Sequence, residues 1–363
     1  MKLPSLPSLQ IGDLVARVPI VQGGMGVRVS LAPLAAAVAN EGGIGTLSGI
    51  GLGDIQASEK RFRETSRLAL IEEIHKARHL TSGLLAVNIM GALSNAADLV
   101  KAAIENGVRI IVYGAGLPMK LPELVQDPDV KLIPIISSSR VAQLIQKTWK
   151  NKFGRLADAF IIEGPLAGGH LGYSPEQLEH PEDCALERTL PTVLKVLEPY
   201  EDEAGRRIPV IVAGGIYDGA DMHRMLELGA SAVQMGTRFV CTTECSASAE
   251  FKQAYLDATA DDVTIVKSPV GMPGRALKNR FLQAIESGER PRIRCSYRCL
   301  TTCKIKESKY CIAQALFNSV SGDVDHGLIF CGTNVSRVDR IQSVKELFQE
   351  MVAGFHEALQ LQR

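Results

Sequence analysis

The chain has 363 residues, 46% of them hydrophobic, with 40 Lys+Arg against 40 Asp+Glu. That length suits one large barrel or two modest domains, and that apolar content excludes a disordered chain. With zero formal net charge and no strongly basic run standing out, a nucleic-acid partner held by bulk charge is also excluded. No stretch approaches the roughly 18 uninterrupted apolar residues of a membrane span. The opening MKLPSLPSLQIGDL lacks the apolar core of a secretory signal, so a cytoplasmic location is expected. There the eight cysteines should be thiols or metal ligands.

Short apolar runs recur from the start of the chain. They are 18–22 (VPIVQ), 43–47 (GIGTL), 84–89 (LLAVNI), 109–113 (RIIVY), 131–136 (KLIPII), 158–162 (DAFII), 209–213 (PVIVA) and 231–235 (SAVQM). Near-continuous apolar strands are what a parallel sheet buried on both faces requires. Ala- and Leu-rich stretches at 31–40, 96–105, 141–149, 189–197 and 219–228 lie between them, several ending at Gly, which is ordinary helix and C-cap chemistry. Strand and helix alternating in this way predict an α/β fold, a (β/α)8 TIM barrel, rather than an open doubly wound sheet.

Two connections are longer than a plain barrel unit needs. Residues 50–82 predict an extra helix around 67–79, and 164–208 contain GPLAGGHLGYSPEQLEHPEDC. Residues 1–240 are expected to form the barrel. Residues 241–363 are expected to form a helical, cysteine-containing extension that packs on it as a lid or cap. The final helix, 344–361, has apolar residues at helical spacing and should dock on the barrel or a partner.

In this fold a phosphate commonly sits at the loops after strands seven and eight. Those loops read Ala213-Gly214-Gly215-Ile216 and Gln234-Met235-Gly236-Thr237. Glycines let backbone N–H groups approach an anion, and Thr237 adds a hydroxyl. Gln22-Gly23-Gly24-Met25-Gly26 after strand one fits neither a P-loop nor G-x-G-x-x-G. Its small residues suit a flat ring lying across the barrel mouth, whose edge Asn88 could bond; Asn88 could equally cap a turn. His170 stands in A-G-G-H-L-G just past strand six. An imidazole on so open a backbone at the catalytic end of a barrel suits acid–base work, although an exposed loop histidine would read the same.

Taken together, Gln22-Gly23-Gly24-Met25, Asn88-Ile89-Met90, Ala167-Gly168-Gly169-His170, Ala213–Ile216 and Gln234–Phe239 resemble the nitronate monooxygenase (2-nitropropane dioxygenase) family. That family includes flavin-dependent enoyl-acyl-carrier-protein reductases, and the similarity covers roughly residues 15–285. The resemblance implies a TIM barrel carrying non-covalent FMN. Gly23, Gly24, Met25, Asn88, Glu163, Gly168, Gly214, Gly215, Gln234, Met235, Gly236 and Thr237 would hold the flavin, and His170 would face the substrate. It implies a small-molecule substrate, with a homodimer as one assembly consistent with it. The leading expectation is oxidation of an alkyl nitronate with O2. The alternatives are reduction of an enoyl thioester or of a quinone with NAD(P)H as electron donor. Where family members often carry an acidic residue before Gly-Gly-His, this chain has Leu166 after Pro165, which makes the pocket less polar.

Cys295, Cys299 and Cys303 are spaced by four, and Cys311 follows eight residues on. On a helix the first three would share one face. Four thiols so close in sequence suggest zinc or an iron–sulfur cluster; the alternative is a buried, small-residue helix face.

Overall fold

All eight apolar runs become strands of one closed parallel barrel. In the computed structural model, which describes residues 6–362, β1 (Leu9–Ile11) and β2 (Leu14–Ala16) first form a short antiparallel hairpin. The barrel strands then follow as β3 (Ile20–Gln22), β4 (Ile44–Ser48), β5 (Leu84–Met90), β6 (Ile110–Gly114), β7 (Lys131–Ile136) and β8 (Phe160–Glu163). After β9 (Gly169–His170), which lies outside the barrel, come β10 (Val210–Ala213) and β11 (Ala232–Met235). The ring closes where β8 pairs with β10, Ile161 beside Ile211, and β11 pairs with β3, Gln234 beside Val21.

The strands are apolar throughout because both faces are buried. Inward-facing Val21, Ile44, Ala86, Ile110, Ile133, Ile161 and Ile211 pack on Leu9, Ile11, Leu14 and Ala16 of the β1–β2 hairpin, which stoppers the N-terminal mouth. Outward-facing residues such as Val87, Ile111, Leu132, Ile162 and Val212 belong to the larger core shared with the helices. The C-terminal mouth is thereby left as the accessible one.

The helices match the expected places, and Ser139–Phe153 and Leu186–Ala204 are longer than expected. Glu59–Leu80 is one long helix rather than a short one around 67–79, and Leu186–Ala204 runs through Pro191 and Pro199. Among the described residues no helix is long and apolar enough to cross a membrane.

The region after residue 240 differs from the mostly helical expectation in two respects. β12 (Val263–Lys267) and β13 (Pro273–Leu277) form an antiparallel hairpin, and β13 also pairs with β9, placing Gly274 opposite His170. Residues 287–311, between helices Arg280–Glu286 and Ile312–Val320, contain no helix, so Cys295, Cys299 and Cys303 do not share a helical face. The backbone there bonds the barrel instead of itself. Ser94 N donates to Cys299 O at 2.9 Å and Thr301 N to Ala92 O at 2.9 Å, around a bridge between Leu93 and Leu300.

The last helix, Val344–Leu361, lies against both Gly219–Glu227 and the first barrel helix, Ala32–Asn40. The approach is tight, since a Cβ on Gly219 would lie 2.1 Å from Phe355 N. Gly219→Ala should therefore cost about 1–3 kcal/mol by forcing the two helices apart. A urea titration of the variant checks this; an unchanged midpoint would show that the helices can part freely.

Candidate active site

The glycine loop after β3 is braced from behind by polar side chains with no water to turn to. Buried Gln22 donates to Ser30 Oγ at 2.9 Å and to Thr46 O at 3.0 Å, and accepts from Thr46 N at 3.1 Å. Ser30 Oγ in turn accepts from Met25 N at 3.0 Å and donates to Gly23 O at 3.2 Å. Gly23 N donates to Met235 O at 2.7 Å, tying the loop to the end of β11. The loop passes so near β5 that a Cβ on Gly24 would lie 2.2 Å from Asn88 Cβ.

These residues line one chamber at the C-terminal mouth. Gly23, Gly24, Met25, Asn88, Glu163, Gly168, His170, Gly214, Gly215, Gln234, Met235, Gly236 and Thr237 all face it. Of the four cysteines singled out by spacing, only Cys299 does. The carboxamides of Asn88 and Gln234 are buried yet make no hydrogen bond with the described residues, so Asn88 is not a turn cap. Free carboxamides aimed into a chamber suit the hydrogen-bonding edge of a ligand ring.

At the far end, Gly214 and Gly215 adopt φ of 93° and 84°, which only glycine takes without strain. Thr237 Oγ1 accepts from Gly332 N at 2.9 Å, which leaves the hydroxyl proton to donate. Asn334 lines the same end, and its Nδ2 is buried without a hydrogen-bond partner among the described residues. An orphaned N–H donor is costly unless an acceptor arrives, and a phosphate oxygen is such an acceptor. The residues present therefore fit a planar ring with a phosphate tail.

His170 is held far more firmly than its Gly-Gly context suggests. It sits in β9, with Leu171 N donating to Pro273 O at 2.9 Å. Its Nε2 is 2.7 Å from Ser268 Oγ, and its ring meets Phe330 edge-on at 5.0 Å. Ser268 Oγ already accepts from Val270 N at 3.2 Å. Its proton is best used toward Nε2, which puts the ring proton on Nδ1. The loop before it is clamped by Arg275, which donates to Pro165 O at 2.5 Å and Ala167 O at 2.6 Å.

Burial sets the charge state of both titratable groups. It pushes His170 down to about 4 and Glu163 up to about 7, because each charged form is poorly solvated there. His170 is thus a neutral imidazole at neutral pH.

Sequence reasoning missed Ser268, Phe330, Gly332 and Asn334. They come from the segment after the barrel and carry no local motif, so only the pairing of β13 with β9 reveals them. It also missed a local charge excess. Residues 289–309 hold seven Lys and Arg against two Glu, and all seven cations are exposed. Among the described residues only Lys304 of the seven has an ion-pair partner, Glu307. Cys299 and Leu300 of this strap line the chamber.

A family model described as nitronate monooxygenase matches residues 9–354. The chain is 32% identical to a (3aS,4S,5R,7aS)-5-hydroxy-7a-methyl-1-oxo-octahydro-1H-indene-4-carboxyl-CoA dehydrogenase of Mycobacterium tuberculosis, over 76% of this chain and 67% of that protein. It is 31% identical to a nitronate monooxygenase of Pseudomonas aeruginosa, over 75% of this chain and 80% of the relative. Among solved structures it resembles FabK from Thermotoga maritima with a TM-score of 0.71 and 28% identity, covering 95% of this chain and 94% of the other.

The enclosed Glu163 carboxyl makes a pH prediction. In the folded protein it keeps its proton up to about pH 7, but in the unfolded chain only to about 4.5. Stability therefore falls as pH rises from 4.5 to 7 and stays lowered above that. Glu163→Gln should raise the stability of ligand-free protein at pH 8 by on the order of 3 kcal/mol and leave it unchanged below pH 4.5. Denaturant titrations at the two pH values test it.

Proposed function

Because the chain belongs to the nitronate monooxygenase family, we propose that this oxidoreductase binds FMN and exchanges hydride with a thioester whose carrier bears phosphate. The observation that carries the reading is the cationic strap, 290–309, whose seven Lys and Arg are exposed and whose Cys299 and Leu300 line the chamber. A carrier such as coenzyme A or an acyl-carrier protein brings several negative charges that must remain outside while its acyl end enters. Exposed guanidinium and ammonium groups suit that end, and the walls formed by Met25, Ile50, Leu93 and Ile135 suit the other. The relative from Mycobacterium tuberculosis, named for a carboxyl-CoA, supports the same class.

When bound, FMN supplies two-electron hydride exchange. The chain's own residues would do the rest. Gly23, Gly24 and Met25 would lie under the ring, with Asn88 and Gln234 at its edge. Gly214, Gly215, Gly236, Thr237 and Asn334 would take the phosphate. Glu163, protonated below about pH 7, would keep the chamber floor uncharged there.

His170 would act through the Nδ1 proton. A neutral imidazole is a poor proton source but a sound hydrogen-bond donor, so it would polarise the thioester carbonyl as negative charge develops on the oxygen. In the reducing direction the balance is NAD(P)H plus one proton plus enoyl thioester, giving NAD(P)+ and the saturated thioester. The hydride reaches the β-carbon, and the proton at the α-carbon comes from solvent.

Nitronate oxidation with O2 is the second reading, favoured by the relative from Pseudomonas aeruginosa. There the same N–H would bond a nitronate oxygen. Under either reading His170→Ala should retain FMN and lower turnover by on the order of 10²-fold. His170, already neutral, should add no inflection to turnover across pH 6–8; an inflection near pH 7 would come from Glu163. Unchanged turnover in the variant would remove His170 from the chemistry.

The two substrates are separated by the strap. Arg294→Glu/Arg298→Glu should raise KM for an enoyl-CoA about tenfold or more, roughly the 1.4 kcal/mol scale of lost phosphate contacts, with kcat little changed. KM for a short alkyl nitronate should not move. Anaerobic stopped-flow mixing comes first. Flavin reduced by NADH or NADPH and reoxidised by an enoyl-CoA or enoyl-acyl-carrier protein supports the thioester reading. Flavin reduced by a nitronate and by neither nicotinamide overturns it in favour of the second.

A further inference from the structure

The strap carries a second feature that flavin chemistry does not use. Its backbone loops irregularly from 287 to 311, a length seldom kept in a compact domain without a purpose. Along it, Cys295, Cys299 and Cys311 pack around Ile55, Phe62, Tyr297 and Ala313. Cys184, Cys241, Cys245 and Cys331 are also free thiols but belong to other packing groups. The separation in sequence between 295 and 311 therefore ends with three cysteines in one packing group and Cys303 on the strap between them.

We propose that Cys295, Cys299, Cys303 and Cys311 bind an iron–sulfur cluster at the wall of the chamber. Thiols on one strap can bind cations once they give up their protons, and the question is which cations. A single zinc holds each sulfur at about 2.3 Å, so its thiolates stand only about 3.8 Å apart. Among the described residues no three Cys, His, Asp or Glu side chains are arranged to hold one ion. A polynuclear cluster bonds its cysteines to different irons, with inorganic sulfide between them, and so takes sulfurs spread more widely.

The surroundings suit such a group. Tyr297 Oη is 2.9 Å from Cys311 Sγ, and Ser308 Oγ is 3.7 Å from Cys303 Sγ. The Tyr297 hydroxyl can donate to a cluster-bound thiolate, the kind of contact that tunes its charge, while the Ser308 proton goes to Lys304 O at 2.9 Å. Tyr297 also stacks at 5.2 Å on Phe62 from the long helix, so one side of the pocket is apolar. The strap is fixed to the barrel by Ser296 Oγ donating to Ala57 O at 2.8 Å, in addition to the bridge at Leu300.

The test uses the full chain, expressed and purified without oxygen in iron-replete medium. Iron and acid-labile sulfide should be present in equal amounts, about two or four of each per chain, the sizes that four cysteines hold. Dithionite reduction should then give an electron paramagnetic resonance signal distinct from that of a flavin radical. Cys299→Ala/Cys311→Ala should lose the iron and the signal, while Cys184→Ala keeps both. Iron-free protein, protein with one zinc and no sulfide, or a cluster that survives in the double variant would each overturn the proposal. The metal analysis of the unaltered protein stands even if the double variant does not fold, and none of these readouts depends on which substrate is turned over.

Discussion

A buried guanidinium governs the geometry of the chamber. Arg275 is only 5% exposed, and among the described residues no carboxylate pairs with it. Its charge is met by the carbonyls of Pro165 and Ala167, two dipoles that cannot be spared without leaving a buried cation unsolvated. Because Arg275 belongs to β13, and β13 pairs with β9, the same residue registers the hairpin from beyond the barrel against the loop that bears His170. Gly168 follows from this closeness: a Cβ there would lie 2.4 Å from the Cys331 backbone. The barrel supplies the floor of the chamber, and this clasp supplies its far wall.

The second consequence is electrostatic. Closing the mouth from both sides removes solvent from Glu163 and His170 and drives both toward neutrality. An uncharged floor and an uncharged imidazole leave carboxamides, glycine N–H groups and one unpaired Asn334 as the polar vocabulary of the chamber. Such a lining discriminates by hydrogen-bond geometry rather than by charge, and the charge is displaced outward to the strap.

Much of this was legible in the chain alone. The barrel strands announced themselves because double burial makes each run apolar throughout, and the glycine loops because close backbone approach tolerates nothing larger. The start of the helix Glu59–Leu80 was hidden since its buried stripe passes through Ser66, where polarity interrupts the period although the residue packs inside. His170 read as loosely held because its neighbours are glycines; its strand partner lies about a hundred residues on, at Gly274. Net charge concealed the strap, since a sum of zero over 363 residues says nothing about seven cations gathered in one loop. Cys295, Cys299 and Cys303 have helical spacing, yet the backbone that carries them bonds to the barrel at Ala92 and Ser94 and makes no helix there.

The placing of helix Val344–Leu361 has a bearing on how the molecule is made. It stands between the helix that begins at Gly219 and the one that follows β3, so the wall of the barrel is completed by residues made long after both of the helices they cover. Until Phe355 reaches Gly219, the faces of both neighbouring helices remain uncovered. The nascent chain therefore carries an unsealed, apolar seam until that last helix is made, the condition under which large domains most depend on chaperones.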